Sequence, residues 1–139
     1  MNIFVDTGAF YALAVEDDER HARAKAYYAS HFKPGFFVTS EYVFVETWSL
    51  IHHRLGKIAA RKFWDSMRSN LIPPQPVSAQ NLERAWEILN EYHDQDFSLV
   101  DCTSFALMEK QKIVDAFTFD HHFYIFRSKK TVPFRCHPS

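Results

Sequence analysis

The sequence predicts an α/β fold in which a mostly parallel sheet is covered on both faces by helices. Short apolar runs alternate along the chain with longer segments of helical character, and strands that alternate with helices indicate a parallel sheet. Turn-forming or polar residues bound these runs. The 139 residues are close to the commonest size of one domain, so we expect residues 1–139 to form a single domain.

Four short apolar runs predict buried strands, at residues 2–5, 36–39, 113–119 and 131–135. The first ends at Asp-Thr-Gly, and the second follows the turn signal Pro-Gly. The segment LIPPQPVS carries three prolines. Because proline cannot donate a hydrogen bond to a neighbouring strand, only a short edge strand fits there.

Six segments between these runs predict helices, at residues 9–14, 17–32, 41–54, 57–69, 79–92 and 98–111. The second opens with acids and is rich in alanine, which indicates a helix start. Ser40, Ser78 and Ser98 are each expected to cap the helix that follows, and Gly56 separates the third helix from the fourth. The fifth helix has an apolar face at helical spacing, formed by Leu82, Ala85, Trp86 and Leu89.

The composition excludes several classes of protein. With 16 basic and 17 acidic residues the net charge is −1, so any nucleic-acid binding must come from a local basic patch. Cys102 and Cys136 make no disulfide framework and no zinc-ligand spacing. The N-terminus lacks the pattern of a signal peptide, and no apolar run approaches the roughly 18 residues of a membrane span. We therefore expect a cytoplasmic protein.

Four times a carboxylate directly follows a short apolar run, in the stretches IFVDT, VFVET, SLVDC and FTFDH. The four acids are Asp6, Glu46, Asp101 and Asp120. Asp6 and Asp120 end predicted strands, whereas Glu46 and Asp101 lie on the helices. Ligands bind beyond the carboxyl ends of parallel strands, so we expect the four side chains to converge at one edge of the sheet.

Clustered carboxylates repel one another unless cations neutralise them. Oxygen ligands without histidine are typical of Mg²⁺ or Mn²⁺ sites. Two such ions about 4 Å apart can activate a water and stabilise the leaving oxygen in phosphodiester cleavage. The acids Asp6, Glu46, Asp101 and Asp120 are therefore the candidate metal ligands and catalytic groups, and Thr7 is placed to add a hydroxyl hydrogen bond near the metal.

Each acid also has a structural interpretation. Asp6 or Asp120 alone could cap a helix, and Asp101 could stabilise a helix dipole. For Glu46 an exposed position is harder to defend, because Val43, Phe44, Val45, Thr47 and Trp48 surround it. The joint pattern favours a metal site, since buried charges need partners.

The stretches FVDTGAFYAL, TSEYVFVETWSLI, SLVDCTSFALM and AFTFDHHF together resemble PIN-domain ribonucleases, most closely the toxin half of VapBC toxin–antitoxin pairs. The resemblance spans residues 4–126. It implies a three-layer α/β/α sandwich and Mg²⁺- or Mn²⁺-dependent cleavage of RNA, with the family's acids at Asp6, Glu46, Asp101 and Asp120. It also implies an antitoxin partner and a homodimer.

Several other residues each have two interpretations. Asp96 is either part of the acidic edge or a loop acid, and Thr103 could bond a ligand carboxylate or lie on the helix surface. Adjacent histidines are not expected to face the same way, although His121 could touch a substrate phosphate. Phe10 and Tyr11 could stack on bases or belong to the core. The basic residues that could contact phosphates, or could instead belong to a solvated face, are Arg54, Lys57, Arg61, Lys62, Lys110, Lys112, Arg127, Lys129 and Lys130.

Four rival functions are weighed against a toxin nuclease. A haloacid-dehalogenase-type phosphatase needs an acid two residues after its first Asp, where this chain has Gly8. A dinucleotide-binding enzyme needs GxGxxG, which three scattered glycines do not supply. A degenerate PIN scaffold that binds RNA or protein has no need of clustered carboxylates. A housekeeping RNA-processing nuclease would carry the same acids and stays open.

Overall fold

The structure, a computed structural model, describes residues 1–69 and 72–138. In chain order its elements are β1 (Ile3–Val5), α1 (Thr7–Ala14), α2 (His21–His31), β2 (Phe37–Ser40), α3 (Glu41–Leu55), α4 (Lys57–Arg68), β3 (Pro74–Gln75), α5 (Ala79–Glu91), α6 (Leu99–Gln111), β4 (Asp115–Phe117), α7 (His122–Ile125) and β5 (Arg135–His137). Leu71, the first residue of the proline-rich segment, lies outside the described residues.

In the part of the chain that the structure describes, five strands form one parallel sheet in the order β3-β2-β1-β4-β5. β1 lies at its centre, and its three residues are fully buried and apolar. Seven helices within the described residues flank the sheet, which confirms the three-layer α/β/α fold. Val5 pairs with Phe117 in the register of β1 and β4, so the segments that leave these two strands emerge side by side at one edge.

The predicted serine caps are confirmed. The side chains of Ser40, Ser78 and Ser98 each accept a hydrogen bond from the backbone N–H three residues ahead. Gly56 separates α3 from α4 with a φ of 92°, a left-handed conformation that glycine adopts without steric strain.

The helix predicted at residues 17–32 starts late, at His21. Asp18 instead forms a turn, because its carboxylate accepts a hydrogen bond from the Arg20 backbone N–H at 3.0 Å and its own carbonyl accepts one from His21. Short polar side chains commonly offer the backbone such alternatives to a helix. In contrast, α1 begins two residues earlier than predicted, at Thr7.

The last two strands also differ from prediction. β4 is shorter than residues 113–119, because the chain turns after Thr118, whose hydroxyl accepts a hydrogen bond from the Asp120 backbone. β5 begins at Arg135 rather than 131, just beyond Pro133, which has no N–H to pair. The four-residue helix α7 was not predicted, since so short a segment has no apolar period.

The core is built from the sheet and the inner faces of the helices. Trp86 was wrongly assigned to the apolar face of α5: its side chain is 59% exposed, and the helix buries Asn81, Ala85 and Ile88 instead.

The free cysteines Cys102 and Cys136 are both buried. Among the described residues, no helix has both the length and the apolar character needed to cross a membrane.

Candidate metal and active site

Asp6, Glu46, Asp101 and Asp120 line one cleft at the edge where β1 and β4 end. The other side chains lining it are Thr7, Arg20, Leu50 and Phe119, with Gly8 at its wall. The structure thus brings together all four acids singled out in the sequence. Each reaches the cleft from a different element or loop.

Asp6 is the most deeply buried of the four. It directly follows β1 and is held in place by its backbone N–H, which donates to the Phe117 carbonyl of β4 at 3.0 Å. Although Asp6 occupies the N-cap position of α1, its side chain makes no capping hydrogen bond. Its carboxylate instead accepts a 2.9 Å hydrogen bond from the Thr118 hydroxyl. Burial, with a further contribution from the Asp101 charge, raises the pKa of Asp6 to about 7.

Glu46 reaches the cleft from the second turn of α3. The Thr7 hydroxyl donates a 2.8 Å hydrogen bond to its Oε1 atom, so the hydrogen bond expected of Thr7 is present and links α1 to α3. Burial raises the pKa of Glu46, the bond from Thr7 opposes this, and the charges of Asp101 and Asp120 add to the rise.

Asp101 lies in the first turn of α6 and has a structural role as well as a place in the cleft. Its Oδ2 atom accepts a hydrogen bond from the Ser98 backbone N–H and completes a capping box. The same oxygen lies 3.2 Å from Nδ1 of His122. Burial and then the Asp120 charge raise the pKa of Asp101 despite these contacts.

Asp120 lies in the turn between β4 and α7. Its Oδ1 atom accepts a hydrogen bond from the His122 backbone N–H at 2.9 Å and also lies 3.3 Å from the ring nitrogen Nδ1 of His122. His121 Nδ1 lies 3.8 Å from the same oxygen. The expectation that adjacent histidines face different ways is therefore wrong for this pair, because both rings turn towards Asp120 at the start of α7.

Among the described residues, the absence of a lysine or arginine partner distinguishes these four buried or half-buried acids from the buried acids Asp115 and Glu109. Asp115 receives two hydrogen bonds from Arg135 at 2.8 and 2.9 Å, and Glu109 receives two from Arg84 at 2.8 and 3.1 Å. Within residues 1–69 and 72–138, no lysine or arginine makes an ion pair with any of the four acids in the cleft. Buried carboxylates without such partners need another source of positive charge.

The donor set fits a divalent cation. In the described part of the chain, Oε2 of Glu46, Oδ1 of Asp101 and Oδ2 of Asp120 accept no hydrogen bond. Each of these acids thus keeps one oxygen available while its other oxygen is fixed by the protein. Hard oxygen donors of this kind suit Mg²⁺ or Mn²⁺, and the oriented second oxygens would hold the ligands in place.

Several other sequence-based suggestions fall outside the cleft. Asp96 is exposed in the loop before α6 and does not line it. Thr103 is fully buried and donates to the Val100 carbonyl at 2.7 Å, so neither of its suggested roles is seen. Phe10 is buried in the core, and Tyr11 is half-buried beneath the Arg54 guanidinium.

The basic residue that lines the cleft was not among the candidates. Arg20 lies at the cleft, whereas none of the nine basic residues proposed from the sequence lines it. One of these nine, Lys130, lies 3.7 Å from Glu109 in an ion pair. Arg20 follows a run of acids in the sequence, which predicted a solvated helix start and concealed its position. His122 was likewise missed, because only the fold brings it between Asp101 and Asp120.

Comparison with known proteins agrees with this geometry. The PIN domain family model matches residues 3–128, a range that contains all four acids. The chain is 40% identical over 121 residues to the 23S rRNA-specific endonuclease VapC20 of Mycobacterium tuberculosis, in strains CDC 1551 / Oshkosh and ATCC 25618 / H37Rv, covering 87% of this chain and 91% of the relative.

The solved structures give the same relationship. The crystal structure of Mycobacterium tuberculosis VapC20, described as a sarcin–ricin loop cleaving toxin, superposes with a TM-score of 0.80 at 39% identity, covering 86% of this chain and 91% of that one. The resemblance inferred from the four sequence stretches is therefore confirmed, and the chain belongs to the PIN domain family.

Proposed function

We propose that this protein is a metal-dependent endoribonuclease of the VapC toxin type, with Asp6, Glu46, Asp101 and Asp120 as its metal ligands and catalytic groups. The observation that carries the proposal is that, among the described residues, the four cleft acids have no lysine or arginine partner, whereas the buried acids Asp115 and Glu109 each have an arginine. The 40% identity to an rRNA endonuclease supports the same activity.

Some residues of the cleft would bind the metal, and others would orient the residues that bind it. The four acids would hold one or two Mg²⁺ or Mn²⁺ ions, which supply charge neutralisation and promote ionisation of a water. Thr7 orients Glu46, Thr118 orients Asp6, and His122 orients Asp101 and Asp120. In the hydrolysis, a water oxygen bonds to phosphorus, one phosphorus–ester oxygen bond breaks, and a proton passes to the leaving oxygen.

For the substrate we propose the sarcin–ricin loop of 23S rRNA, on the strength of the matched relative's described target. Activity on ribosomal RNA would place the protein in the cytoplasm. The same relationship supports a partner antitoxin that suppresses the activity. We also propose a homodimer as the working assembly.

The test is cleavage of a synthetic sarcin–ricin loop RNA by the purified chain with Mg²⁺, Mn²⁺ or EDTA, beside an RNA of the same stem with a scrambled loop. We expect one cut in the native loop, with either metal and not in EDTA. Equal cleavage of both RNAs would overturn the assignment of the sarcin–ricin loop as the substrate and would favour a general RNA-processing nuclease. Cleavage that persists in EDTA would overturn the metal-dependent mechanism, and binding of RNA without cleavage under any metal would favour the scaffold.

A further inference from the structure

Two arginines near the cleft share one aromatic ring. The guanidinium carbon of Arg20 lies 5.4 Å from the ring centroid of Phe119, and that of Arg23 lies 5.5 Å from it. Phe119 directly precedes Asp120, and both Phe119 and Arg20 line the cleft of the four acids. A fixed pair of positive charges therefore adjoins a strongly acidic cleft.

The position of this pair is fixed by the backbone as well as by the ring. Arg20 is the N-cap residue of α2, and its backbone N–H donates to the Asp18 carboxylate at 3.0 Å. His21 anchors the same turn through a 2.7 Å contact between its Nδ1 atom and the Ala12 carbonyl. Residues three apart at a helix start lie on one face, so Arg20 and Arg23 present their side chains together.

Among the described residues, neither arginine side chain forms an ion pair with an acid. Both side chains are exposed. An aromatic face attracts a guanidinium without neutralising its charge. The charge and the hydrogen-bond donors of both groups thus remain available for an anion, and a planar guanidinium matches a phosphate particularly well.

We propose that Arg20 and Arg23, held by Phe119, form a binding subsite for a phosphate of the RNA backbone next to the scissile one. This inference rests on the proposed nuclease function and deepens it. An RNA strand that enters a cleft of four carboxylates is repelled by any acid that lacks a cation. Arginines at the rim attract the neighbouring phosphates and fix the register of the strand, as phosphate contacts do in other nucleic-acid complexes.

The experiment measures RNA affinity as a function of salt, without cleavage. Fluorescence anisotropy of a labelled single-stranded RNA would be recorded in an Asp6→Asn background with Arg20→Ala, Arg23→Ala and the double change. Lys25→Ala is the matched control, because Lys25 is an exposed cation on the same helix that lies two positions from Arg23 and faces elsewhere. Arg20→Lys with Arg23→Lys keeps both charges.

Each arginine-to-alanine change is expected to weaken binding about tenfold, as expected for loss of a charged hydrogen bond. The double change should reduce the slope of log affinity against log salt by about 0.7, the value for one phosphate contact on a single strand, and each single change should reduce it by part of that. The double lysine variant should keep most of the slope, and Lys25→Ala should match the background. Circular dichroism of each variant should match the background, since both arginine side chains are exposed.

Slopes and affinities of the arginine variants equal to those of Lys25→Ala would overturn the subsite. That failure is distinct from a failure of the nuclease assignment. If the chain with native Asp6 cleaves RNA with Mn²⁺ while the slopes are unchanged, the nuclease stands and the subsite falls. If the slopes fall as expected and no metal supports cleavage, the phosphate subsite stands and the nuclease assignment falls.

Discussion

The Thr118 hydroxyl donates a 2.9 Å hydrogen bond to the carboxylate of Asp6, across 112 residues of chain. The hydroxyl oxygen of Thr118 also accepts a 2.9 Å hydrogen bond from the Asp120 backbone N–H. One buried side chain therefore fixes the first and the last of the four cleft acids relative to each other.

Replacing Thr118 by valine keeps the shape and removes both hydrogen bonds. We expect Thr118→Val to lower the free energy of unfolding by about 1–3 kcal/mol, because it leaves a backbone N–H without its partner. We also expect weaker Mn²⁺ binding, since Asp6 and Asp120 lose their common anchor. Thr118→Ser retains the hydroxyl and should recover most of both quantities. Urea denaturation measures the stability and metal titration measures the Mn²⁺ affinity. Equal values for the valine and serine variants would contradict the role of the Thr118 hydroxyl as an anchor.

The raised pKa of Asp6 makes the metal-free protein less stable as pH rises. A folded state whose carboxyl pKa is about 7, against an ordinary 3.8, binds its proton more tightly than the unfolded chain does. Stability is therefore greatest below the ordinary value and is lost progressively up to about pH 7. The difference between the two values corresponds to about 4 kcal/mol.

Asp6→Asn removes this dependence. In EDTA at pH 8 the variant should be more stable than the unaltered protein, by up to about 4 kcal/mol, and the gap should close near pH 4. Saturating Mn²⁺ should reverse the order, since only the unaltered protein keeps all of its ligands. Thermal unfolding at several pH values measures the effect. A metal-free Asp6→Asn variant no more stable than its parent at pH 8 would contradict the account.

His122 is expected to orient the ligands, whereas its neighbour His121 is not. The His122 side chain is 16% exposed and lies between Asp101 and Asp120, while that of His121 is 77% exposed. We expect His122→Ala to weaken Mn²⁺ binding about 10–100-fold, the usual loss when a partner that orients metal ligands is removed. His121→Ala is the matched control and should change it little. Calorimetric titration measures the Mn²⁺ affinity of both variants. An equal loss of affinity in both would contradict the role of His122 in orienting the ligands.

Ser104 offers a test of the buried polar groups on α6. Its hydroxyl is fully buried and has no hydrogen-bond partner among the residues that the structure describes. Ser104→Ala should therefore raise the free energy of unfolding by about 1 kcal/mol. The neighbouring Thr103→Val should lower it by about as much, because Thr103 does bond the Val100 carbonyl. Urea denaturation measures both, and a destabilised Ser104→Ala would show that the hydroxyl is paired.

The sequence predicted the sheet and the four acids because both depend on local patterns. Apolar runs that end in an acid mark the edge where parallel strands finish, and serine caps mark where helices begin. Asp6, Glu46, Asp101 and Asp120 could be selected in this way before any contact was known. Their roles as ligands stay a proposal.

The remaining features depend on contacts between distant parts of the chain. Arg20 follows acidic residues that also predict a helix start, and its place beside Phe119 follows only from the turn that Asp18 forms. Asp115 begins β4 and does not lie at the cleft. Its ion pair with Arg135 could not be predicted, because the register of β4 and β5 brings the two residues together. Trp86 fits a helical period, yet the contact of α5 with α6 leaves it outside.

The central claim is that the four carboxylates of the cleft hold the metal that cleaves RNA. Its most direct test is the rate of RNA cleavage with Mn²⁺ by the unaltered chain, by Asp6→Asn and by Asp96→Asn. Asp96 is an exposed acid outside the cleft and serves as the matched control. The account predicts a loss of more than about 100-fold for Asp6→Asn, since a direct ligand should matter more than an orienting partner, and an unchanged rate for Asp96→Asn. Equal rates for Asp6→Asn and the unaltered chain would contradict it.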